Sequence, residues 1–259
     1  MPAEIKKEIT LEIAHVLFID IVGYSKLSIN DQHAAVEELN QVVRASEQSQ
    51  KGEATERLHT YCGCDRPLLL KIPTGDGMAL VFYTSPEAPT QCAVEISRAL
   101  KEHPRLQRRM GIHNGPVSGV IDVNERANLA GAGINIAQRA MDCGDAGHIL
   151  VSKHVAEDLS EYDRWRPLLH ELGTCEVKHG VRVDITNLYS DEIGNAQLPK
   201  KFLALKKRRS HVRWARAAVA LLVLAMIVFL TLKIGTSLRD VRGHPCGAIQ
   251  NRLPYWIAS

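Results

Sequence analysis

A chain of 259 residues holds one sizeable domain, or a domain of about 190 residues plus an attachment. With 45% apolar and 24% charged residues it has a globular composition, which excludes a disordered chain. The net charge of +3 is uneven: no acidic residue lies between Glu192 and Asp240, while Lys200, Lys201, Lys206, Lys207, Arg208, Arg209, Arg213 and Arg216 crowd together. That basic block leads directly into an apolar run, so it reads as a membrane flank and no nucleic-acid partner is expected. Six cysteines in this length make no dense disulfide framework, and Cys62, Cys64, Cys92 and Cys143 read as reduced thiols of a cytosolic domain. Met1 to Glu12 mixes Lys and Glu without an apolar core, which excludes a signal peptide.

In chain order, alternation predicts a first strand over Ile13–Asp20, ending in Phe18-Ile-Asp20-Ile-Val-Gly23-Tyr24-Ser25. A carboxylate at a strand end, beside a glycine turn that exposes backbone N–H groups, can hold a cation and a polyphosphate together. Taken alone, it is equally a capped strand-to-helix turn. Ser28 and Asp31 form a capping box ahead of Ala35, Val36, Leu39, Val42 and Val43, an apolar face at helical spacing. Residues 47 to 66 read as a polar loop. Its His59, Cys62 and Cys64 offer three candidate zinc ligands without a fourth, so free thiols are expected there.

Strands over Leu68–Ile72 and Met78–Tyr83 flank Gly75-Asp76-Gly77, a hairpin signal that places Asp76 at the tip. Asp-Gly is common turn chemistry, and the motif gains weight only beside Asp20. Two carboxylates brought together on neighbouring strands repel unless cations lie between them. A helix over Pro86–Glu102 follows, with Ala93, Ile96 and Leu100 along one face, and then a strand over Arg109–Ile121 in which His113 reads as structural. A helix over Ala132–Asp142 puts Asn135 and Arg139, four residues apart, on one face. Arg suits a phosphate clamp and Asn can orient a sugar hydroxyl, although an exposed polar face explains the pair as well. Strands over His148–Val151 and Arg182–Tyr189 close the domain.

The order β-α-β-β-α-β is the split βαβ, ferredoxin-like plan, an α+β fold. The expected boundaries are a domain over 1–190, a basic linker over 191–211 broken at Pro199, a transmembrane helix over 212–234 and a short extracytoplasmic tail over 235–259. The charge-free core of that helix, Ala217–Leu232, spans roughly 24 Å at ~1.5 Å per residue. Trp214, Arg216 and Lys233 sit where interfacial side chains extend such a span. The heavier Lys/Arg load before it places the domain on the cytoplasmic side.

Phe18–Ser25, Gly75-Asp76-Gly77, His113-Asn-Gly115-Pro116 and Gly131…Asn135…Arg139 occur in the order seen in class III adenylate/guanylate cyclase domains. The chain resembles that family over roughly residues 11 to 190. The resemblance implies a head-to-tail homodimer with composite sites, a nucleoside triphosphate substrate, and two divalent cations, Mg²⁺ or Mn²⁺. One subunit would hold the metals at Asp20, Asp76 and the Ile21 backbone, with Gly23, Tyr24 and Ser25 on the phosphates. The other would supply Asn135 to orient the ribose and Arg139 to meet charge on the transferring phosphorus. Lys178 resembles a late-strand lysine that assists phosphate binding. The base-reading position, four residues before the second Asp, is Ile72, with Lys71 one place earlier and Asn128 at the partner position. These depart from the family pattern; ATP is the expected substrate, and the base is not fixed by the residues. A catalytically silent cyclase-like module is the alternative, whereas a diguanylate cyclase lacks its GG[DE]EF-type hairpin here.

Overall fold

The computed structural model describes residues 11–52, 68–121, 127–177, 180–205, 207 and 218–227, in two units that divide between Ala204 and Leu205. In the first unit, eight strands form one sheet in the order β2-β3-β1-β4-β6-β8-β7, with β5 paired to β4 off that path. These are β1 Glu12–Ile21, β2 Leu69–Pro73, β3 Gly77–Phe82, β4 Arg108–Ile121, β5 Ala127–Ala130, β6 Ile149–Ser152, β7 Leu169–Glu176 and β8 Arg182–Leu188. The helices are α1 Ile29–Ala45, α2 Glu87–Ala99, α3 Ala132–Met141 and α4 Lys153–Ser160. The first four strands, joined by α1 and α2 and lying β2-β3-β1-β4 with antiparallel neighbours, reproduce the ferredoxin-like plan expected from the sequence.

β1 is buried continuously from Val16 to Ile21, because both faces of the sheet are covered there. Its odd positions, Leu17, Ile19 and Ile21, join the large core with Leu39 and Val43 of α1, Ile96 of α2 and Leu159 of α4. Its even positions, Ala14, Val16 and Phe18, meet Ala137 and Met141 of α3. A third cluster joins Ala140 and Cys143 to Leu150, Cys175, Ile185 and Phe202. Cys92, Cys143 and Cys175 are buried free thiols, while Cys62 and Cys64 lie outside the described residues.

Three elements had no clear sequence signal. β7 is an edge strand with little buried surface and a register shift between Glu171 and Gly173, so its alternation is broken. α4 buries only Val155 and Leu159, one i,i+4 pair, and β5 has four residues. Two boundaries also change. The loop expected over 47–66 begins with helical residues 47–52. Ser46 explains this: it ends α1 in an extended conformation, and its Oγ accepts from the Ser49 amide at 3.3 Å, capping a new turn.

The linker expected from residue 191 likewise begins as part of the domain. Ile193 and Phe202 are each 3% exposed, and residues 200–205 are helical. The mostly polar composition of this stretch, broken at Pro199, hid two core side chains. In the second unit residues 218–227 are helical, and among the described residues no helix is long and apolar enough to cross a membrane. The expected span over 212–234 is therefore described only in part, and the tail over 235–259 lies outside the described residues.

Candidate active site

Asp20 and Asp76 are brought together by register. Asp20 pairs with Gly77 across β1 and β3, and the Ile21 amide donates to the Asp76 carbonyl at 3.0 Å. Glycine at 77 is a steric requirement, since a Cβ there would sit 2.0 Å from the Ile19 carbonyl oxygen. On its other side Asp20 pairs with Arg109 of β4. The Arg109 guanidinium donates through Nε to Asp20 Oδ2 at 2.8 Å, and its Nη2 lies 2.7 Å from the same oxygen. The same Nη2 lies 3.1 Å from Asp142 Oδ1, just beyond α3. Among the described residues, Asp20 Oδ1 is buried without a hydrogen-bond partner. Burial raises the Asp20 pKa, the Arg109 hydrogen bond and charge pull it down, and the Asp76 carboxyl, by its charge and by close side-chain contact, raises it again. Arg109 and Asp142 were not singled out in the sequence, because nothing local marks a cross-strand partner.

These features fit a hard divalent cation. An orphaned carboxylate oxygen and a second carboxylate offer oxygen ligands, and water and phosphate would complete the coordination that Mg²⁺ prefers. No group of three or more His, Cys, Asp or Glu suited to a metal occurs among the described residues, so substrate oxygens would have to contribute. Gly23, at φ 79°, turns the chain into a 3-10 turn, Tyr24–Lys26, whose internal bonds begin at the Lys26 amide. The earlier amides of Gly23, Tyr24 and Ser25 are thereby left to outside partners.

α3 lies against β4 because glycines remove the intervening atoms. A Cβ on Gly111 would meet the Ala137 carbonyl at 2.4 Å, and one on Gly133 would meet the Gly115 carbonyl at 2.9 Å. Gly131 adopts φ 143° ahead of the helix, packed on Pro116. Asn135 is exposed and Arg139 half-buried, and neither side chain has a hydrogen bond among the described residues. Within one chain the first turn of α3 sits over Gly115, which pairs with Ala14, six positions before Asp20. At ~3.3 Å per residue that is roughly 20 Å along the strand.

The base-reading candidates separate by face. Ile72 pairs with Ala79 and Ala79 with Phe18, so this row shares the face of Asp20. Lys71 pairs with Leu80, and Leu80 with Leu17, on the opposite face, where the Lys71 charge acts on Cys92 of α2. Pro73 introduces no bulge that would reverse this. Asn128 is half-buried on β5, and its Oδ1 accepts from the Leu129 amide at 2.7 Å. Lys178 lies outside the described residues. His113 is buried, with Nδ1 2.8 Å from Ser152 Oγ, and burial followed by the His154 charge lowers its pKa to about 4. It is a neutral strand residue, as expected.

Residues 85–188 match the family model for the adenylate and guanylate cyclase catalytic domain. The adenylyl cyclase CyaB from P. aeruginosa superimposes with a TM-score of 0.55 at 17% identity, covering 72% of this chain and 100% of that one. The fold is that of a class III nucleotide cyclase catalytic domain. The guanylate cyclase domain of RhGC from Catenaria anguillulae, solved in complex with GTP, gives 0.52 at 20% identity, over 70% of this chain and 98% of that one. Adenylate cyclases from Trypanosoma brucei, in their monomeric state, give 0.54 at 19% identity, over 76% and 98%. No curated protein sequence matches the chain. Family model and structural neighbours alike are adenylate or guanylate cyclase domains.

Proposed function

We propose that this chain is a nucleotide cyclase that converts a nucleoside triphosphate, ATP by expectation, to a 3′,5′-cyclic nucleotide and pyrophosphate. One observation carries the reading: within a cyclase fold, Asp20 presents a buried, unpartnered oxygen beside Asp76. Two divalent cations held there, Mg²⁺ or Mn²⁺, would supply charge neutralisation to the triphosphate and acidify the ribose 3′-hydroxyl. The chain's own residues do the rest. Amides at Gly23 to Ser25 hold phosphate oxygens and Asn135 orients the ribose. Arg139 meets the charge on the α-phosphorus as the 3′-oxygen attacks and the bond to pyrophosphate breaks.

Asn135 and Arg139 would come from a second copy of the chain. The unpaired side chains of α3, and the strand distance from its first turn, which carries Asn135, to Asp20, support a head-to-tail homodimer with the site across its interface. The helical residues 218–227 leave Leu221, Leu222 and Leu224 exposed, which supports a single-pass membrane anchor over 212–234 with the domain on the cytoplasmic side. Protease protection of sealed vesicles, read at the tail over 235–259, tests that arrangement.

The full chain, offered ATP, GTP, CTP and UTP separately with Mn²⁺, should form a cyclic product from at least one. No product from any, at concentrations that permit dimerisation, would overturn the enzyme reading. It would favour a silent nucleotide-binding or dimerising module, for which the apolar Ile72 on the Asp20 face speaks. Asp76→Ala should abolish turnover while the chain stays folded and dimeric.

A further inference from the structure

Residues 193–202 are held along the domain as a strap. Ile193 is buried in the main core and Phe202 in the third, beside Ala140 and Cys143. Between them the Asn195 side chain donates to the Ala146 carbonyl at 2.9 Å, and the Lys200 amide donates to Asp145 Oδ2 at 2.8 Å. His148 Nδ1 accepts from the Asp145 amide at 3.1 Å, which leaves its Nε2–H to donate to the Gln197 carbonyl at 2.7 Å. Lys201 Nζ donates to the Asp142 carbonyl.

The strap therefore grips the chain just after α3, residues 142 to 148. Asp142 faces two ways. Its carbonyl takes the strap lysine, and its carboxylate takes the Arg109 guanidinium that also holds Asp20. Resting on the cyclase reading, we infer that the strap is a positioning element for the reaction. Lys201 and Phe202 set the C-terminal end of α3, and through Asp142 and Arg109 they set the metal-side carboxylate Asp20. The two contributions this chain makes, α3 to one composite site and the end of β1 to the other, thus share one support. The chain runs on from that support into the basic block and the apolar run, so a pull on the C-terminal segment acts first on the strap.

The test uses the full chain and the variants Phe202→Ala, Phe202→Leu and Lys201→Met, followed by hydrogen exchange. In Phe202→Ala and Lys201→Met, amide exchange over residues 132–143 should rise roughly tenfold while the β2–β3 hairpin stays within about twofold. Phe202→Leu, which keeps an apolar plug, should return to the parent pattern. In the cyclase assay the first two should lose about fivefold or more in kcat with KM for the nucleotide unchanged, the signature of lost positioning. Unchanged exchange over 132–143, or an equal rise over the hairpin, overturns the strap. A parent chain without turnover overturns the cyclase reading alone, and the exchange pattern still decides whether the strap holds α3.

Discussion

Arg109 and Asp20 face each other across the β1–β4 ladder, 89 residues apart in sequence, with the guanidinium on one carboxylate oxygen and the other oxygen buried and unpartnered. The pair does two things at once. It offsets part of the cost of burying Asp20, and it fixes one carboxylate oxygen while the other keeps no hydrogen bond.

Arg109→Met should therefore leave a buried carboxylate alone. Without metal the domain should lose about 2 kcal/mol, less than for a fully buried pair because Arg109 is partly exposed. Added Mn²⁺ should stabilise the variant more than the parent, since it then replaces the positive charge that Arg109 gives Asp20. Urea midpoints with and without Mn²⁺ measure both effects.

Gly77→Ala should be among the most damaging single changes at the site. Its Cβ would overlap the Ile19 carbonyl oxygen at 2.0 Å, a backbone atom held in the sheet that cannot step aside. The hairpin must then lift from β1, at a cost of about 3 kcal/mol or more, and Asp76 moves away from Asp20. A lowered melting temperature together with loss of Mn²⁺-induced stabilisation checks this. A variant that keeps both would contradict the register described above.

Nucleotide preference should follow Ile72 and ignore Lys71. Ile72 shares the face of Asp20, whereas Lys71 lies on the α2 side of the sheet. Lys71→Ala should change the ratio of kcat/KM for ATP and GTP by less than about twofold, while Ile72→Lys or Ile72→Glu should shift it by tenfold or more. Competing the two nucleotides in one reaction gives the ratio directly.

His113 makes stability depend on pH. Unfolded, it binds a proton near 6.5; folded, burial and then His154 hold it off until about 4. Between those values the unfolded chain carries more protons, so stability is lost as pH falls from 6.5 towards 4, by roughly 3 kcal/mol at most. His113→Asn should flatten the pH dependence of the urea midpoint in that window. Persistence of the full slope would assign it to other groups.

Much of the fold was legible because it rests on local periodicity. Alternation located β1, β2, β3, β4, β6 and β8, helical spacing located α1, α2 and α3, and the glycines around Asp76 marked the hairpin. From that order the ferredoxin-like core and the nearness of Asp20 to Asp76 both follow. The composition of the chain likewise set apart its basic, then apolar, C-terminal stretch. Alternation alone puts Lys71 on the face opposite Ile72, and the tertiary structure decided that no bulge at Pro73 reverses it. It also decided that Arg109 binds Asp20 and Asp142, since a salt bridge over 89 residues leaves no local pattern. Finally, it turned residues 193–202 from an apparent linker into a support for α3. Two buried side chains, Ile193 and Phe202, outweigh the polar residues between them once a core is present to receive them.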